Sequence, residues 1–155
     1  MEIFIYSAVI VNCQQIYLHL LFSILFVEAL PYFEFYEGND GSQDMLCRVY
    51  FTTDGDMNVN KKTMKRTYGC PNDEARSMKV CFATKATKIR VFDDSKYRFS
   101  KDDWTEIYVR WDMKGCETIS HFEITKTYSA LNVVYKTKGN LNGKVSSFMV
   151  IPGHN

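Results

Sequence analysis

Near the end of the chain runs Asn142-Gly143-Lys144-Val145-Ser146-Ser147-Phe148-Met149-Val150, and it has an earlier counterpart in Asn72-Asp73-Glu74-Ala75-Arg76-Ser77-Met78-Lys79-Val80. In both, a polar stretch led by Asn and closed by Ser runs into an alternating apolar segment, Met78 and Val80 in one copy, Phe148 and Val150 in the other. Asn, Asp and Ser bond nearby backbone in turns, and alternation marks a half-buried strand. A loop-into-strand unit used twice indicates internal duplication. Each copy has a second landmark upstream. Phe35-Tyr36-Glu37-Gly38-Asn39-Asp40-Gly41 is echoed loosely by Val91-Phe92-Asp93-Asp94-Ser95-Lys96-Tyr97. An aromatic-acidic hairpin thus opens each unit and an Asn-led loop closes it, giving units over 33–80 and 88–151.

From Phe33 onward the period of two dominates, and no long stretch of helical period intervenes. Strands are expected at 33–36, 45–52, 77–82, 88–92, 105–111, 131–135 and 145–151, with an eighth in Lys61 to Tyr68. The clearest sets Ile107, Val109 and Trp111 on one face against Tyr108 and Arg110 on the other. Short strands separated by Gly, Asn and Asp predict an antiparallel, all-β sandwich or barrel. The 10 Tyr, 11 Phe and 2 Trp suit such a pleated surface, where most serve as packing.

With its paired motifs, the chain resembles the βγ-crystallin superfamily, in particular its microbial and non-lens members. That family's closing motif is two Asn/Asp, two free positions, Ser/Thr, then Ser. Residues 142–147 match except at Gly143, and 72–77 match except at Arg76. The resemblance covers 33–151 and implies two four-stranded antiparallel Greek keys packed as a double-sheet sandwich. It also implies a calcium clamp, in which one loop gives a side chain from its second position and the next carbonyl, and the other loop a hydroxyl from its fifth. Carried over, one site uses Asp73, the Glu74 carbonyl and Ser146. The other loses both side chains, to Gly143 and Arg76, so at most one site is implied. Asn72, Ser77, Asn142 and Ser147 are the remaining motif residues. Hard oxygen donors suit calcium; the alternative reading is that these residues only close turns.

The first 29 residues are different in kind. Ile16 to Val27 is nearly unbroken apolar sequence, and its twelve residues would span about 18 Å as a helix, short of a bilayer core of about 30 Å. That length reads as a signal peptide over 1–29, cleaved after Ala29 behind Val27-Glu28-Ala29. The absence of Lys and Arg before it, and a second apolar run from Ile3 to Val11, keep a membrane anchor as the alternative. With a cleaved signal no stable membrane insertion is expected. Cleavage removes Glu2, Glu28 and Cys13, leaving a mildly basic domain at 30–155 with Cys47, Cys70, Cys81 and Cys116. Four cysteines in a secreted domain imply two disulfides in one of three connectivities; proximity favours Cys47–Cys70 and Cys81–Cys116.

A net charge of +1 over 155 residues excludes the basic excess of a nucleic-acid surface. The chain has no nucleophile elbow, His-Glu-x-x-His zinc motif or phosphate-cradling glycine loop, and His121 and His154 are the only histidines after the first 29 residues. No catalytic residue is therefore assigned and no enzyme is expected. Asp54-Gly55-Asp56-Met57-Asn58-Val59 begins like an EF-hand, but Val59 replaces the turn glycine and Lys65 the closing Glu. The run Lys61-Lys62-Thr63-Met64-Lys65-Arg66 reads as a solvated strand edge, or as a contact for an anionic surface, a glycan or an extracellular protein. The expectation is a secreted, non-enzymatic protein with a structural, protective or binding role; the rival is a secreted effector, a killer toxin or protease inhibitor of the same fold.

Overall fold

A computed structural model describes residues 29–100, 102–136 and 140–153. The apolar segment expected to be a signal or anchor, residues 1–28, lies outside the described residues, as does His154. Among the described residues there are ten strands and one α-helix. They are β1 (Tyr32–Tyr36), β2 (Met45–Tyr50), β3 (Met57–Val59), α1 (Lys61–Tyr68), β4 (Ser77–Cys81), β5 (Lys88–Phe92), β6 (Trp104–Val109), β7 (Cys116–Ile119), β8 (Lys126–Thr127), β9 (Leu131–Lys136) and β10 (Ser147–Ile151). They form two antiparallel sheets, β2-β1-β4-β7 and β3-β10-β5-β6-β9-β8.

The sheets are not the two sequence units taken whole. Strand β3, from the first unit, pairs with β10, with Val59 opposite Phe148. Strand β7, from the second, pairs with β4, with Ile119 opposite Met78. Each half therefore lends a strand to the other's sheet, so pulling the halves apart breaks two ladders at once. The disulfides reinforce this. Cys47–Cys70 ties β2 to the segment after α1, and Cys81–Cys116 joins facing residues of β4 and β7 across the two halves.

The period of two fixes what fills the space between the sheets. Phe33, Phe35, Val49, Met78, Val80 and Ile119 come from one sheet and Ile89, Val91, Ile107, Val133, Phe148 and Val150 from the other, all fully buried. Phe148 sits at the centre, edge-on to Phe33 at 5.2 Å and to Tyr68 at 5.8 Å. Such pairs add about 0.5–1.5 kcal/mol each beyond the area they bury.

The expected strand at Lys61 to Tyr68 is instead the helix α1, and its lysines do not lie on a strand edge. The Asn60 side chain caps its start by accepting from the Thr63 amide at 3.0 Å, and Gly69 closes it at φ 68°. Met64 and Tyr68, four residues apart, turn one face inward: Met64 is buried and Tyr68 reaches Phe148. Two caps and one apolar stripe outweigh the weak alternation. The residues that began like an EF-hand end in β3, which buries Val59.

On the outer face of the first sheet, Glu34 is almost wholly buried between β2 and β4. Burial pushes its carboxyl up, but hydrogen bonds from Tyr36 (2.6 Å) and Arg48 (2.8 Å), with the Arg48 charge, outweigh that and hold it below its ordinary value. The Tyr36 phenol is pushed up to about 12, by burial first and then by its bond to Glu34.

Candidate functional site

The two closing loops meet, and they do so as near mirror copies in the duplication. Each loop's last serine is fully buried and clasps its own unit's hairpin. Ser77 Oγ donates to the Gly38 carbonyl (2.5 Å) and accepts from the Gly41 amide (2.9 Å). Ser147 Oγ donates to the Asp94 carbonyl (2.5 Å) and accepts from the Tyr97 amide (3.0 Å). One residue earlier, the Arg76 amide donates to Tyr36 O and the Ser146 amide to Phe92 O, at 2.9 and 2.8 Å. The loops then bond each other reciprocally, the Asp73 amide to Val145 O and the Gly143 amide to Ala75 O.

The second position of each loop adopts left-handed backbone, φ 62° at Asp73 and 74° at Gly143. Glycine takes this conformation freely, and Asp and Asn are the side chains that tolerate it best. The motif therefore needs one of these residue types there whether or not an ion binds. The first position is shared too: the side-chain oxygens of both Asn72 and Asn142 are buried and lack a hydrogen-bond partner.

The two loops differ where the sequence departs from the motif. At one end, Ser146 Oγ donates to Asp73 Oδ1 at 3.0 Å, joining residues 73 positions apart. Asp73 Oδ2 lies 3.8 Å from Lys61 Nζ at the start of α1. Both partners are half exposed, where such pairs contribute at most about 1 kcal/mol. At the other end no carboxylate stands opposite. A Cβ on Gly143 would lie 3.7 Å from Arg76 Nε, so the guanidinium arm stands in van der Waals contact with the place where the equivalent of Asp73 would begin.

The structure thus brings Asp73 and Ser146 together, sets Glu74 beside them in the chain, and places Ser77 and Ser147 beneath the loops as clasps. Two contributors come from elsewhere. Lys61 arrives from α1. Asp93, half-buried at the end of β5, has its carboxyl pushed up, by burial first and then by Asp102, with Lys144 opposing and Asp73 adding to the rise. Among the described residues, no group of three or more His, Cys, Asp or Glu side chains is placed to hold a metal. Any ion here would depend on the Asp73 carboxylate together with hydroxyl, amide and carbonyl oxygens, a donor set that suits calcium rather than a transition metal.

No family model matches the chain, no curated protein matches it in sequence, and no solved structure matches its fold.

Proposed function

We propose that the chain is a secreted, non-enzymatic protein of the βγ-crystallin kind, two interlocked Greek keys with a structural, protective or extracellular binding role, and that it binds one calcium ion. The contact between Ser146 Oγ and Asp73 Oδ1 carries this reading. It joins the hydroxyl and the carboxylate that the resemblance assigns to one ion, from opposite loops. Asp73, Ser146 and the Glu74 carbonyl would hold the ion. The carboxyl of Asp93 and the orphaned Asn72 oxygen supply further negative potential and donor capacity nearby. Bound calcium would bridge the two loops and so tighten the join between the halves. The other end would take none, because Gly143 offers no side-chain oxygen and Arg76 brings a fixed positive charge.

Two disulfides support an oxidising compartment. Among the described residues no helix is long and apolar enough to cross a membrane. The test is thermal unfolding of the disulfide-bonded protein in calcium and in chelator. Calcium at about 100 times its Kd should add about 2.7 kcal/mol. An unchanged midpoint would count against the site. Inhibition of a protease panel or of microbial growth, with no calcium response, would favour the effector reading.

A further inference from the structure

We propose that the concavity between the start of α1 and the 95–97 turn binds a sulfate or phosphate ester carried on a sugar, and that calcium at Asp73 strengthens this binding by releasing Lys61. The second half of the proposal rests on the calcium reading; the first does not.

The concavity measures about 520 Å³ and is lined by Asn60, Lys61, Lys62, Ser95, Lys96 and Tyr97. Three of its six lining residues are lysines, and none is acidic. Among the described residues neither Lys62 nor Lys96 has an ion-pair partner, and Lys61 has only the long contact to Asp73. Lys61 and Lys62 also occupy the first turn of α1, which holds no acidic residue. Cations there oppose the helix dipole, so the local positive potential exceeds what three side chains alone create. Three lysines lining one hollow suit a tetrahedral oxyanion. The volume exceeds what a bare anion needs, and Tyr97 supplies a ring in the wall against which a sugar face can stack. A bilayer surface fits less well. The large exposed apolar side chains Leu30, Met45, Tyr50, Phe99 and Trp111 all lie outside the lining, so nothing in it can enter acyl chains.

Lys61 links this hollow to the clamp. With Asp73 unliganded, its carboxylate holds Lys61 and neutralises part of the positive charge. An ion on Asp73 would cancel that carboxylate and repel Lys61 toward the hollow. By reciprocity, the ester would then tighten calcium by the same factor that calcium tightens the ester.

The test is calorimetric titration with glucose 6-sulfate at low ionic strength, in calcium and in chelator, on the wild type, Asp73→Asn, and the double variant Lys62→Ala/Lys96→Ala. Wild type should bind about fivefold more tightly in calcium than in chelator. Asp73→Asn should bind in chelator more tightly than wild type does there and ignore calcium, because its Lys61 is already free. The double variant should lose sulfate binding while keeping its calcium heat and its melting temperature. If calcium fails to bind yet Asp73→Asn still tightens the ester, the sulfate site stands and the calcium reading falls. Full affinity in the double variant, or binding to phosphatidylserine vesicles without binding to glucose 6-sulfate, would overturn the proposal.

Discussion

The serine clasps make the duplication testable as energetics. Ser77→Ala removes a fully buried hydroxyl that holds the Gly38 carbonyl at 2.5 Å and the Gly41 amide at 2.9 Å. Ser147→Ala removes one that holds the Asp94 carbonyl at 2.5 Å and the Tyr97 amide at 3.0 Å. A typical bond contributes about 1 kcal/mol net, and a backbone group left unpaired costs about 1–3 kcal/mol. Losing two bonds at a partly dry site should therefore cost about 2–3 kcal/mol in either variant. For a domain of this size that lowers the melting temperature by about 10 °C. In urea, with a slope of about 2 kcal/mol/M, it lowers the midpoint by about 1 M. Equilibrium urea unfolding without reductant, followed by tryptophan fluorescence, reads both. A loss below about 0.5 kcal/mol in either variant would refute the reasoning, because it would mean that the hydroxyl is replaced by water at no cost. A strongly unequal pair would also refute it, because each clasp bonds one backbone carbonyl and the amide three residues on, with nearly the same geometry.

Opening Cys81–Cys116, which closes 35 residues and crosses between the halves, should cost about 4 kcal/mol, and opening Cys47–Cys70, across 23, about 3 kcal/mol; paired Cys→Ser variants in urea measure both. Glu34 titrates below its ordinary value in the folded state, so its carboxylate contributes stability that is present above the ordinary value of 4.5 and is lost as pH falls through the folded one. Glu34→Gln should cost about 2 kcal/mol at neutral pH and flatten the acid limb of a stability-against-pH curve; an unchanged acid limb would contradict this. Tyr36→Phe should remove the phenol that ionises near 12 in an ultraviolet pH titration. Replacing Gly143 by Asp together with Arg76 by Ser should create a second calcium site of comparable strength, read as a doubled stoichiometry.

The sheets were largely legible in the sequence because their strands are buried on one face, and burial writes itself as alternation. Seven expected strands lie where the chain folds, to within a residue or two at most ends. Strands β3, β7 and β8 were not foreseen, and each is short. Met57–Val59 hides in an Asp/Asn loop, Cys116–Ile119 buries only Ile119, and both residues of Lys126–Thr127 are exposed. The exchange of β3 and β7 between sheets could not be read either, because pairing partners leave no local mark. The helix was misread although both caps were visible: Asn60 and Gly69 flank Lys61–Tyr68 at the right spacing. At the clamp, the meeting of Asp73 with Ser146 was implied by the resemblance to the βγ-crystallin motif, not by the repeat alone. The roles of Lys61 and Asp93 were not, because they come from a helix and a strand end outside the motif.

The central claim is that the clamp is one-sided. Calcium titration calorimetry on the wild type and on Asp73→Ala tests it most directly. One ion per chain in the wild type and none in Asp73→Ala is the result predicted here. Two comparable ions in the wild type, none at all, or a site that survives Asp73→Ala would contradict it.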